Sequence, residues 1–145
     1  MKVSIATDHN GVVEKLELIN YLKELEIEVI DCSTNNTPTD DYPDFAIIVA
    51  NNVVNGTSDL GILLCGTGIG MSIAANKVKG IRCAKVSSVD EARLCREHNN
   101  ANIMALSYKE NMDVLKDMIK TFVNTPFSNE ERHARRVEKI NALEG

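Results

Sequence analysis

The feature that most restricts the fold of this chain is an alternation. Short runs rich in β-branched and other apolar residues lie at 3–7, 28–32, 60–64, 81–86 and 102–106, and segments with helical spacing separate most of them. The first helical segment carries Val12, Leu16, Ile19, Leu22 and Leu25 at steps of three and four, which places them on one face. Further helices are expected at 44–54, 70–78, 89–97, 112–123 and 130–143. Strands and helices in this order predict an α/β fold with a five-stranded parallel sheet covered on both faces, and ligands bind such sheets at the carboxyl ends of the strands. The stretch "STNNTPTDDYP" at 33–43 reads as a long polar loop. The last two helices have no strand between or after them, with Pro126 breaking the chain there. An extra C-terminal helix with no strand of its own to cover predicts packing on a partner subunit, and so a dimer.

The 145 residues suit one domain spanning 1–145. Sixteen basic residues stand against twenty-one acidic, a net charge of −5, and the longest basic tract is Arg135-Arg136, which argues against a nucleic-acid surface. No apolar run approaches the roughly 20 residues that cross a bilayer, and the amino terminus enters a strand-like segment with no signal-type stretch, so a cytoplasmic protein without membrane contact is expected. The cysteines at 32, 65, 83 and 95 form no C-x-x-C pair and have no ligand-like spacing to His9, His98 or His133, which suggests neither a metal site nor a disulfide framework.

The polar residues cluster where strands end. Asp8-His9 follow the first strand, Cys65 and the loop Gly66-Thr67-Gly68-Ile69-Gly70 follow the third, and His98-Asn99-Asn100 end the helix after the fourth; these groups are expected to converge on one rim. Closely spaced glycines let backbone N–H groups cradle an anion at a helix start, or they serve only a tight strand-to-helix turn. A thiol at such a start is a nucleophile or base, or else a buried apolar side chain. Three known loops do not match. A cysteine phosphatase needs arginine at 71, where Met71 stands; a phosphate-binding Walker loop needs Gly-Lys-Ser/Thr, where the chain has Gly70-Met71-Ser72; and a dinucleotide fingerprint needs other spacing than glycines at 66, 68 and 70. A thiol beside amide donors, with His and Asp nearby, suits removal of a proton next to a carbonyl.

The segments "DHNG" at 8–11, "DYP" at 41–43, "GILLCGTGIGMSIAANKVKGIR" at 61–82, "REHNNAN" at 96–102 and "RHARRVEKI" at 132–140 resemble the ribose-5-phosphate isomerase B family, which also includes galactose-6-phosphate isomerase subunits. The resemblance runs nearly end to end. It implies a Rossmann-like αβα sandwich and an aldose–ketose isomerase that uses no metal or organic cofactor. It also implies a small sugar phosphate as substrate and a homodimer or tetramer with sites at the subunit interface. Carried onto these positions, Cys65 becomes the base, His98 the acid that opens the sugar ring and Asp8 its helper. The backbone from Gly66 through Gly68 and Ile69 to Gly70, with the Thr67 hydroxyl and Asn99, holds the enediolate. His9, Arg132 and Arg136 hold the phosphate, and Tyr42 lines the sugar. His98 as a helix-end cap, and Arg132 and Arg136 as surface partners of carboxylates such as Glu138, are the plainer readings of the same residues.

The chain departs from the family pattern in places. Asn10 follows the histidine where a small residue is usual, Cys32-Ser33 stands where a residue-glycine pair is expected, and in "ALSYKEN" (105–111) Ser107 takes the place of a glycine and Lys109 that of an arginine. Lysine keeps the charge but loses the two-pronged donor geometry. The resemblance thus points to interconversion of ribose 5-phosphate and ribulose 5-phosphate, with allose 6-phosphate, galactose 6-phosphate or a tetrose phosphate as alternative substrates. A receiver-like binding module would also be a small α/β domain, but it needs an aspartate where Cys65 stands.

Overall fold

The computed structural model describes residues 1–144. Its elements follow the expected alternation: β1 (Lys2–Thr7), α1 (Val12–Glu24), β2 (Glu28–Asp31), α2 (Tyr42–Val54), β3 (Leu60–Cys65), α3 (Ile69–Asn76), β4 (Cys83–Lys85), α4 (Val89–Glu97), β5 (Ile103–Ser107), α5 (Met112–Asn124) and α6 (Glu131–Ala142). The five strands form one parallel sheet in the order β2-β1-β3-β5-β4. β3 is the centre, buried along its whole length between β1 and β5. Its alternate residues feed two cores. Ile62 and Leu64 join Leu18, Leu22, Leu115 and Phe122 on the face covered by α1 and α5, while Leu63 and Cys65 join Phe45, Val49, Met71 and Ala75 on the face covered by α2 and α3.

Two elements differ from the sequence reading. β4 spans three residues instead of 81–86, because it is an edge strand paired only with β5; Arg82 beside it already bonds the Asn102 side chain. α2 begins at Tyr42, inside the stretch expected to be loop. Its Pro43 sits in the first turn, where proline's missing N–H costs nothing and its fixed φ suits a helix.

The buried face of α1 is also rotated. Leu16 is 51% exposed, and the residues turned inward are Lys15, Leu18, Ile19 and Leu22. The cause is Lys15, a lysine only 2% exposed. Its ammonium donates to Asp31 Oδ1 (2.9 Å), the Ser33 carbonyl (2.9 Å) and Ser33 Oγ (3.2 Å), so all three protons are used. Ser33 Oγ in turn accepts the Thr7 amide at 3.1 Å. One buried cation therefore pins the carboxyl ends of β1 and β2 to α1.

A buried charge that loses its partner is strongly destabilising, whereas the pair itself adds little over an apolar substitute. Lys15→Met keeps the stem but strands the Asp31 carboxylate and the Ser33 acceptors, and should lower unfolding free energy by about 3 kcal/mol, read by urea denaturation. A loss below about 0.5 kcal/mol, the range of ordinary surface changes, would show that the pair pins nothing.

Candidate active site

The site grows from the turn between β3 and α3. Gly68 has φ +80°, and a Cβ there would lie 3.1 to 3.2 Å from the backbone of Leu106 and Ala105, so only glycine admits this close approach. The turn directs the Gly68 amide at the Cys65 sulfur, 3.1 Å away. Thr67 Oγ1 accepts the Ile69 amide at 3.1 Å, and Ser107 Oγ donates to the Gly66 carbonyl at 2.8 Å. Among the described residues no acceptor takes the amides of Gly66, Thr67 or Gly70, which stand at the positive end of α3. The Gly68 and Ile69 amides bond within the turn, and those of Gly66, Thr67 and Gly70 are the ones without an acceptor.

The turn opens on a cleft of about 560 Å³. Asp8, Tyr42, Cys65, Gly66, Thr67, Ile69 and Gly70, all named from sequence, line it together. Tyr42 reaches it because Gly70 has no side chain; a Cβ there would lie 2.5 Å from the ring. The Cys65 residue is 5% exposed and contributes to the wall of the cleft. Burial pushes the Cys32 thiol up, that of Cys83 to about 12 and that of Cys95 to about 11.

His9 stands beside the cleft in a network of its own. Asp40 Oδ1 accepts the His9 amide at 3.0 Å and lies 2.7 Å from His9 Nδ1, while Oδ2 accepts from Asn36 Nδ2 (2.9 Å) and the Thr37 amide (3.0 Å). Burial pushes the Asp40 carboxyl up, but the bonds from Asn36, His9 and Thr37 outweigh it and hold the group at about 2. Asn36 also donates to the Thr7 carbonyl at 2.9 Å, which ties this loop to the end of β1.

His98, Asn99, Arg132 and Arg136 are elsewhere. His98 is the C-cap of α4, and the turn it opens sits at the amino ends of β4 and β5, where the Asn102 amide bonds the Arg82 carbonyl and Arg82 bonds the carbonyls of Asn99 and Asn100. The expectation of one rim is therefore corrected: helices between parallel strands run back against them, so a helix's last residues lie at the end of the sheet opposite the strand ends. The four residue steps of β5 alone separate the two rims by roughly 13 Å. On the far rim His98 stacks on His133, ring centroids 4.2 Å apart and planes 11° from parallel. Burial pushes the His133 imidazole down, and neighbouring His98, Arg132 and Arg136 act in the same direction. Arg132 pairs with Glu130 at 3.0 Å, not with Glu138, and Arg135 pairs with Glu131. Arg136 is exposed.

Three cleft residues were not among the sequence candidates, one of them Ile73 on α3. Asn10 and Tyr108 line the cleft from the loops after β1 and β5. Both are within two or three residues of a strand's carboxyl end, and that position was the available signal.

A family model described as Ribose/Galactose Isomerase matches residues 3–140. A Bacillus subtilis protein described in the general terms of a sugar phosphate isomerase is 45% identical over 99% of this chain and 97% of its own. Ribose-5-phosphate isomerase B of Clostridium thermocellum superposes with a TM-score of 0.94 at 46% identity, covering 99% of this chain and 97% of that one. The enzyme of the same name from Mycoplasma genitalium, solved with ribulose 5-phosphate bound, gives 0.92 at 41%, with 99% and 95% covered.

Asp40 supplies a pH test. Its folded value of about 2 lies below the ordinary carboxyl range, so its stabilisation is complete above about pH 4 and is lost as pH falls toward 2. Asp40→Asn should remove that part of the acid sensitivity, seen as a flatter urea midpoint between pH 4 and 2 than the wild type's. Equal slopes in both proteins would show that the network contributes no such linkage.

Proposed function

Because the chain belongs to the ribose/galactose isomerase family, we propose that this sugar phosphate isomerase interconverts ribose 5-phosphate and ribulose 5-phosphate through an enediolate, with Cys65 as the base. The observation that carries the reading is the Cys65 sulfur at the end of β3: it lines a cleft, an amide hydrogen points at it, and unpartnered amides stand beside it. The thiolate takes the C2 proton of the open-chain aldose and returns it to C1, while the hydroxyl proton on C2 passes to the C1 oxygen; the bond order shifts and nothing is oxidised overall. Negative charge on the oxygens during this step meets the amides of Gly66, Thr67 and Gly70 and the Thr67 hydroxyl. Base, acid and oxyanion roles are all filled by side chains and amides, so the mechanism employs no metal or organic cofactor.

His98, read as the ring-opening acid, and Arg132 and Arg136, read with His9 as phosphate holders, lie on the far rim while His9 stays beside the cleft, and this supports a site assembled from two chains. In a two-fold dimer each subunit presents its Cys65 cleft to the partner's rim of His98, Asn99, Arg132 and Arg136, which makes two identical sites. The exposed apolar residues suit such a contact. Ile140 (41%) and Leu143 (86%) stand on and just beyond α6, Ile69 (52%) and Ile73 (58%) on α3 at the cleft, and leaving all of them to water is costly. The relative from Mycoplasma genitalium, with ribulose 5-phosphate bound, supports the five-carbon substrate. The Bacillus subtilis relative's general description keeps a six-carbon or four-carbon phosphosugar as the second reading.

Cys65→Ala should lower kcat for ribose 5-phosphate by about 10²- to 10⁴-fold, the worth of a positioned proton-transfer group, with circular dichroism unchanged. His98→Asn should impair the cyclic sugar much more than an open-chain analogue, whereas Cys65→Ala impairs both. Near-normal turnover by Cys65→Ala would remove the thiol from the chemistry and leave it as packing.

A further inference from the structure

Asn10 and Tyr108 come from the loops after β1 and β5, the two strands that flank β3, and both line the cleft over the end of β3. We propose that this pair sets the length of sugar phosphate the cleft accepts, admitting a five-carbon chain and excluding a six-carbon one. The inference rests on the isomerase reading and adds the choice of substrate to it.

The phenol is held, not loose. Its backbone amide bonds the Cys65 carbonyl at 3.2 Å, and its ring lies against Gly11, where a Cβ would come within 3.0 Å of Cδ2. Its oxygen is 3.6 Å from where a Cβ on Gly66 would stand, directly beside the turn that carries the free amides. A sugar laid over the turn with its reacting carbons at Cys65 is thus bounded by two phenols, Tyr42 packed on Gly70 and Tyr108 packed by Gly66. Tyr108 is half-buried against Gly11 and cannot move without losing that packing, whereas Tyr42 is exposed. The chemistry of the wall suits its place as well: burial, and then the neighbouring Asp8 and Cys65, push the Tyr108 hydroxyl up, so it keeps its proton and stays a hydrogen-bond donor. A sugar of fitting length gains that bond. A longer one must displace the ring, and a single carbon unit is enough to separate two substrates by about tenfold or more in a shaped pocket.

The test measures kcat/KM for ribose 5-phosphate and allose 6-phosphate with the full-length wild type, Tyr108→Phe, Tyr108→Ala and Asn10→Ala. The wild type should favour the pentose by about tenfold or more. Tyr108→Phe keeps the wall and loses the donor, so it should lower the value for the pentose, which alone gains that bond, by more than the value for the hexose. Tyr108→Ala should shift the ratio toward the hexose by about tenfold, and Asn10→Ala should shift it the same way by less. A wild type that prefers the hexose, or a ratio unmoved in both Tyr108→Ala and Asn10→Ala, would overturn the assignment. Calorimetric binding of the same two sugar phosphates reads the ratio without turnover. A wild type that isomerises neither sugar but binds the pentose more tightly, with the preference lost in Tyr108→Ala, would sink the isomerase reading and leave length selection standing.

Discussion

Everything at the candidate site depends on the backbone of β3 turning into α3 against the backbone of β5. Gly68 makes the turn at φ +80°, a conformation that costs other residues about 1–2 kcal/mol, and packs so near Ala105 and Leu106 that a side chain would displace main-chain atoms. Because that contact is backbone on backbone, it fixes where α3 starts. The start of α3 decides which amides are left free, and the direction of the Gly68 amide places its hydrogen on the Cys65 sulfur. The central position of β3 does the rest. Its two neighbours end beside it, so the loops carrying Asp8 and Tyr108 line the same cleft as Cys65 from either side.

The same parallel topology divides the chemistry. Loops that follow strands collect on one rim, and turns that follow helices collect on the other. The His98 turn is built as firmly as the cleft. Asn100 adopts φ +47°, and the Arg82 guanidinium spans the carbonyls of Asn99 and Asn100 while reaching Asn141 of α6 at 3.0 Å. His133 then stacks under His98 from the same helix. On the two-chain reading proposed above, a second chain would bring its far rim to each Cys65 cleft. α6, which serves no strand of its own, carries Arg132 and Arg136 on that rim.

The alternation of strands and helices was legible because buried parallel strands are short continuous apolar runs and the covering helices are periodic. The glycine turn was legible because three glycines and a cysteine in six residues leave few structural uses. Other features were hidden for physical reasons. Lys15 looks like a solvent-facing residue until Asp31 and Ser33 are brought to it by β2, and its burial turns Leu16 outward. Tyr42 and Pro43 read as loop because their neighbours are polar, yet proline is at home in a first helical turn. His98 lies off the Cys65 rim because α4 runs back between the parallel strands β4 and β5, a direction that residue spacing alone does not display. Tyr108 stands between Ser107 and Lys109, the two departures from the family pattern, and its position just past the end of β5 is the signal that marks it.

The division of the site between two chains can be measured by mixing two variants. Cys65→Ala and His98→Asn each disable one half-site. If the halves come from different chains, a mixed dimer joins an intact Cys65 cleft to an intact His98 rim at one of its two sites. Subunit exchange between the two weak enzymes should then restore about a quarter of wild-type turnover on ribose 5-phosphate, since half of random dimers are mixed and each has one intact site. A mixture that never exceeds the average of its components, with exchange verified by mass, would show that each chain works alone and that the far rim takes no part in the chemistry.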